Sequence, residues 1–286
     1  MSDIRLTLSV FNCLVAIRIN NTELSNILIL VYGAMQVSGS NESAGHNDVD
    51  NNNIKLSYII TRNELNDEIS ICRDNGAEYF TTDIGEFIFL FEKDMTIELQ
   101  IIRSDLLFIH SAVLNYKGQG LLLVAPSGTG KSTTSWAMLN SGFNYLSDEL
   151  APLDLDTMQV QAYPHALCLK AEPPVFSLPE TSLYTSASIH VPVKSMPVNH
   201  HFESVKLSYI FYLEFDAELS EPLISPVSRA QATAQLFSNS LNSLAHDKGD
   251  SGMQAAMKVA AAVKNYSLKS NHLVKTCEKI RDLLES

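Results

Sequence analysis

Residues Ala125-Pro126-Ser127-Gly128-Thr129-Gly130-Lys131-Ser132 are the stretch whose types and spacing dictate a chemistry most narrowly. They read as a Walker A-type loop, in which backbone amides, an ammonium group and a hydroxyl converge on phosphate oxygens. Gly128 and Gly130 let successive N–H groups point inward, and a helix beginning at Lys131 adds its own free amides and the positive end of its dipole. Lys131 can reach the outer phosphates, and the Ser132 hydroxyl can ligate Mg²⁺. The predicted nucleotide-binding residues are therefore Ser127, Gly128, Thr129, Gly130, Lys131, Ser132 and Thr133, with ATP and Mg²⁺ as ligands. Ala125 stands where the pattern G-x-x-x-x-G-K-[ST] has its first glycine. The two glycines that supply the sharp turns remain.

A phosphate cradle needs an acid beside it before it can transfer a group. Asp148-Glu149 follows the apolar run Phe143-Asn144-Tyr145-Leu146-Ser147 soon after the loop. A carboxylate there can hold Mg²⁺, directly or through water, or accept a proton from an attacking hydroxyl. Ser132, Asp148 and Glu149 form the expected metal set; Lys131, Asp148 and His110 form the expected catalytic set. Asp216, at the end of the apolar run Val205 to Phe215, competes for the Mg²⁺ role, and Asp148 is preferred because it ends the next strand after the loop helix. Arg229 can reach phosphate or stay solvated. His200-His201 has no acidic or cysteine partner at ligand spacing, and Asn47-Asp48-Val49-Asp50 lacks the glycine and closing glutamate of a Ca²⁺ loop.

These side chains need particular elements to position them. Gly120 to Val124 reads as a buried strand before the loop, and Lys131 to Ser141 as a helix stopped by Gly142. In a parallel α/β unit the strand ending at Asp148 lies beside the loop's own strand, with its acids at the ligand-binding end. Leu106 to Leu114 reads as one apolar strand containing His110, joined through a hairpin turn at Lys117-Gly118-Gln119-Gly120 to the strand of the loop. That pairing brings His110 near the phosphates.

The His-containing strand, the hairpin, A-P-S-G-T-G-K-S and the strand ending in S-D-E together resemble the catalytic domain of HPr kinase/phosphorylase and its HPr-kinase-related relatives, from about Ile109 to Lys170. The resemblance implies that Asp148 is the general base for phosphorylating a protein serine, that the loop binds ATP or pyrophosphate with Mg²⁺, and that His110 matches a histidine of the family. It also implies the fold shared with phosphoenolpyruvate carboxykinases, a mixed sheet rather than a standard parallel core. Two departures matter. Glu149 replaces the second aspartate of the family's Asp-Asp pair, and Tyr163-Pro164-His165-Ala166-Leu167-Cys168-Leu169-Lys170 stands where true HPr kinases carry a glycine-rich signature. HPr as substrate and the reverse phosphorolysis are therefore not implied. The chain looks more like the divergent kinases of this group, some of which phosphorylate peptides in natural-product clusters.

The rest of the sequence sets bounds. With 286 residues and 45% hydrophobic content the chain can bury a sizeable core, and a net charge of −12 disfavours nucleic acid and anionic membrane as partners. Cys13, Cys72, Cys168 and Cys277 show no C-x-x-C spacing, so neither a zinc site nor a disulfide framework is expected, and the reading is reduced and cytoplasmic. No leader peptide or membrane span is expected.

Residues 1–100 are expected to form an α+β region for substrate or partner binding, β-rich and smaller than the catalytic domain of residues 101–286. Within it, Leu14 to Ile17 and Ile27 to Tyr32 suggest strand and helix. Lys55 to Ile60, Ala77 to Phe80, Glu86 to Phe91 and Met95 to Leu99 read as strands, and Ser38 to Asn53 as a polar surface loop. Glu172 to Asn199 reads as an irregular substrate-gating loop. Ser228 with Gln231 caps a helix to about Leu244, and Leu273, Cys277, Ile280 and Leu284 mark an amphipathic C-terminal helix.

The expected function is an ATP- and Mg²⁺-dependent kinase acting on a hydroxyl, most readily a serine of a peptide or protein, in a chain compatible with homo-oligomer formation. The alternatives are a nucleotide-binding switch or assembly module that transfers no group, and a small-molecule kinase.

Overall fold

A computed structural model describes residues 3–37, 53–198, 202–242 and 249–286, the first residues of the last segment by backbone alone. The fold is mixed α/β, built on sheets of five, nine and three strands. Among the described residues no helix is long and apolar enough to cross a membrane. The expected polar loop Ser38 to Asn53, apart from its last residue, and His200-His201 lie outside the described residues.

The first sheet orders β1 (Ile4–Val10), β2 (Cys13–Ile19), β3 (Ile54–Arg62), β4 (Ile69–Arg73) and β5 (Glu78–Thr81), with α1 (Thr22–Tyr32) after β2. Strict alternation along β1 and β2 turns Leu6, Leu8, Val15 and Ile17 inward, as half-buried strands require. The next element corrects the sequence reading. Glu86 to Phe91 and Met95 to Leu99 are not two strands but parts of one helix, α2 (Ile84–Ile102). Phe87, Phe89 and Phe91 alternate as a strand would, yet the buried set is Phe87, Ile88, Phe91, Met95 and Leu99, the spacing of one helical face. Asp83 caps the helix by accepting from the Glu86 amide at 2.8 Å. Gln100 falls in its last turn. Asp94, inside the helix, is buried and accepts from Tyr58 Oη (2.7 Å), Tyr79 Oη (3.1 Å) and Arg73 Nε (2.8 Å), which ties α2 to the sheet.

The second sheet holds β6 (Leu106–His110), β7 (Ala112–Tyr116), β8 (Gln119–Val124), β9 (Asn144–Ser147), β10 (Leu150–Asp154), β11 (Gln159–Val160), β15 (Val205–Phe215), β16 (Leu223–Pro226) and β17 (Lys264–Ser270). Its main path runs β6-β10-β11-β15-β8-β7-β9, and β17 pairs parallel with β15. β7 and β8 form the expected hairpin, turning at Lys117-Gly118, where both residues have positive φ as a type I′ turn needs. Leu106 to Leu114, however, is two strands. Ser111 breaks the run, so that β6 pairs with β10 and β7 with β9. Nor does β9 lie beside β8, because β7 stands between them. Two antiparallel steps leave β9 parallel to β8, so both strands still point the same way and end at the same edge.

On one face of this sheet pack α3 (Lys131–Leu139) and α6 (Leu273–Glu285), with Trp136, Phe143, Phe211, Ile280 and Cys277 in the core; on the other pack α4 (Arg229–Asn239) and α5 (Gly249–Ala262). The capping box of Ser228 and Gln231 is present, but α4 stops at Asn239, short of Leu244. Glu172 to Asn199 is more structured than a loop. β12 (Leu167–Leu169), β13 (Leu183–Tyr184) and β14 (Ile189–Val191) form the third sheet, and Ile189, Val191, Val193 and Met196 are core residues. The core of the first sheet also takes in Phe108 of β6, Leu150 of β10 and Tyr163, whose hydroxyl donates to Glu92 of α2 at 3.0 Å.

Candidate active site

The candidate phosphate loop leaves β8 at Val124. Ala125 is buried, and its methyl group is accommodated where the pattern has glycine. Gly128 and Gly130 take φ of 86° and 92°, the left-handed turns the motif needs. Gly130 is also the N-cap of α3 and brings no capping side chain, whereas Asn21, Asp83, Ser228 and His272 cap α1, α2, α4 and α6. The first-turn amides of α3 therefore face the loop without a side-chain acceptor from the cap. Lys170, just past β12, donates to Ser127 Oγ at 3.0 Å and puts a second cation at the loop.

The acidic half sits where two strand pairs bend at one level. β6 breaks to β7 at Ser111, and β9 breaks to β10 at Asp148-Glu149; the Ser111 amide donates to the Glu149 carbonyl at 3.3 Å across the break. Register places His110 opposite Leu150, the neighbour of Glu149. The side chains then meet: Lys131 Nζ is 2.7 Å from His110 Nε2, His110 Nε2 is 3.0 Å from Glu149 Oε2, and Lys131 Nζ is 3.8 Å from the same oxygen. One imidazole nitrogen cannot accept from Lys131 and donate to Glu149 at once, so the two bonds are alternatives set by the tautomer. A phosphate that draws Lys131 away leaves His110 free to donate to Glu149.

The two carboxylates differ. Asp148 is 0% exposed; Oδ2 accepts from the Cys168 amide at 3.4 Å, and Oδ1 has no hydrogen-bond partner. Burial, helped by the charge of Glu149, pushes its pKa up to about 6, against the opposing pull of Lys131, His165 and the Ser132 hydroxyl. Glu149, with 42% of its side chain exposed, moves the other way. Burial acts to raise it but is outweighed by the His110 hydrogen bond and the Lys131 charge, which hold it ionised. A buried acid poised near neutrality beside a permanent carboxylate can exchange a proton without leaving its place.

Lys131, Ser132, His110, Asp148 and Glu149 thus come together, although the strand route to His110 differs from the expected one. Asp216 does not join them. Tyr212 is level with Val124 at the root of the loop, which carries Asp216 four positions beyond, where its carboxylate accepts from the Glu218 amide in a local turn. Arg229 is exposed at the start of α4, and no hydrogen bond or ion pair joins it to the loop among the described residues. Lys170 and the Cys168 amide escaped sequence reasoning, because only tertiary packing of β12 brings Lys170 to Ser127 and Cys168 to Asp148.

Two clefts flank the centre. One of about 390 Å³ runs from Gly128, Gly130 and Thr133 to Phe215 and His272. The other, of about 720 Å³, opens between α2 and the bend and has His110 and Glu149 in its wall. For Mg²⁺ the donor set fits: the Ser132 hydroxyl and two carboxylates are hard oxygen ligands, and Asp148 Oδ1 is a buried oxygen lacking a partner. Among the described residues no three His, Cys, Asp or Glu side chains are grouped so as to hold a metal ion by themselves.

No family model matches the chain, and no curated protein does. Among solved structures, the chain is similar to the Hpr(Ser) kinase/phosphatase from Coxiella burnetii at 12% identity and a TM-score of 0.34, over 63% of this chain and 99% of that one. A likeness of that depth carries no argument about activity.

Proposed function

We propose that this chain is an ATP- and Mg²⁺-dependent kinase that transfers the γ-phosphoryl group to a hydroxyl, a serine of a peptide or protein being the acceptor. The observation that carries the reading is the meeting of Lys131, His110 and Glu149 with the buried Asp148 at the start of α3, between two clefts. A nucleotide would lie along Gly128 to Thr133 with its outer phosphates at Lys131. Ser132 and Glu149, with Asp148 through a bridging water, would hold Mg²⁺, which would neutralise charge on the phosphates. Asp148 is fully buried and lines neither cleft, so the reading requires that Lys131, on turning to the phosphates, uncovers it to the larger cleft. The acceptor O–H then loses its proton to Asp148 Oδ1 while its oxygen bonds to phosphorus; the bond from phosphorus to the β-phosphate oxygen breaks, and ADP departs. His110 donates to Glu149 and fixes the second carboxylate.

The test is labelling of peptides and cell extract with γ-labelled ATP. Asp148→Asn should keep nucleotide affinity and lose transfer by on the order of 10² or more, the usual size of a general-base effect. Near-normal transfer by this variant removes Asp148 from the role. Slow hydrolysis with no labelled acceptor would favour the switch reading.

A further inference from the structure

The cleft of about 720 Å³ is large enough for several side chains, and its position relative to the nucleotide loop gives it a use. Lys131 lies at the join: its backbone starts α3 beside the smaller cleft, and its ammonium group touches His110 in the wall of the larger one. A phosphate chain in the loop therefore presents its terminal group toward the larger cleft.

The lining decides what can enter. The exposed apolar side chains of the lining are Phe89 of α2, 59% exposed, and Leu241, 48% exposed; Ile88 and Leu150 lie buried behind the surface. Its charge is acidic. Asp83, Glu86 and Glu149 line the cleft, and Asp83 accepts from the Glu86 amide at 2.8 Å as the cap of α2. Lys93 is the lysine of this wall and lies 5.8 Å from the centre of the Phe89 ring. His190, pulled down to about 4 by burial, is uncharged near neutral pH. Such a lining repels a second nucleotide and suits a chain that is apolar and cationic by turns.

We propose that this cleft is the acceptor site and that its occupant is a peptide segment with lysine or arginine close to the serine and an apolar side chain against Phe89 and Leu241. The inference rests on the kinase reading and names its substrate class. The first sheet and α2 thereby become a selectivity element, since the Asp94 cluster fixes the helix that forms one wall.

The test uses the full chain, γ-labelled ATP with Mg²⁺, and serine peptides identical except for lysine, glutamate or serine flanks. Lysine-flanked peptides should be labelled with kcat/KM about tenfold above glutamate-flanked ones, the scale expected for a few partly exposed charge pairs. Glu86→Lys, on the exposed face of α2, should abolish or invert that preference, and Lys93→Glu should strengthen it. Equal labelling of all flanks, a preference unmoved by both variants, or label on a small hydroxylated compound but on no peptide overturns the proposal. Calorimetry with Mg²⁺ and a non-hydrolysable ATP analogue is run on the same protein. No nucleotide binding sinks the kinase reading itself, whereas nucleotide binding with the wrong peptide selectivity sinks only the assignment of the cleft.

Discussion

Replacing Asp148 by asparagine should make the nucleotide-free protein more stable at neutral pH, and the size of the gain follows from its surroundings. The carboxyl group is fully buried, one oxygen lacks a partner, and burial raises its pKa from 3.8 to about 6. A carboxylate with a raised folded-state pKa binds more protons folded than unfolded, so stability falls as pH climbs from about 4 to 6. At 1.36 kcal/mol per unit the ionised group costs roughly 3 kcal/mol at pH 7, about half of that at pH 5, and almost nothing by about pH 3. Asparagine escapes that cost but buries an amide, which reduces the gain to about 1–3 kcal/mol at pH 7.

Urea unfolding of both proteins followed through Trp136, the single tryptophan, from pH 4 to 8 reads the difference directly. The wild-type disadvantage should open with rising pH and shrink when Mg²⁺ and an ATP analogue are added, since these give the carboxylate a partner. A pH-independent difference, or a less stable asparagine protein at pH 7, would show that the Asp148 charge is well compensated and would refute the strain argument.

Two further outcomes follow from the same geometry. Lys131→Met removes the ammonium group aimed at the phosphates and should weaken ATP-analogue binding about 10- to 100-fold, the worth of a charge-assisted contact; calorimetry showing unchanged affinity would place the nucleotide elsewhere. Asp94→Ala leaves the Tyr58 and Tyr79 hydroxyls without their acceptor and Arg73 with Glu98 alone, and should cost about 2–3 kcal/mol in urea unfolding, while leaving nucleotide affinity intact in the folded protein. A loss below about 1 kcal/mol would mean that α2 is held by its apolar face alone.

How much could be read in advance differed by kind of residue. The glycine turns and helix start of residues 125–132 were legible because they are local: Gly128 and Gly130 supply the left-handed turns, and α3 begins at Lys131. The hairpin at Lys117-Gly118, the Ser228 cap and the apolar face of α6 were legible for the same reason. α2 was misread because Phe87, Phe89 and Phe91 satisfy two periods at once, and only packing against β3 and β4 selects the helical one. The sequence by itself determined a glycine turn running into a helix start at Lys131, with a histidine and two acids at a distance. Tertiary structure decided the rest, by breaking β6 from β7 and β9 from β10 at one level: strand pairing is non-local, and no residue near Ser111 or Asp148 encodes its partner. That shared bend sets His110 on Glu149, buries Asp148 with one oxygen unpaired, and opens the cleft beneath α2.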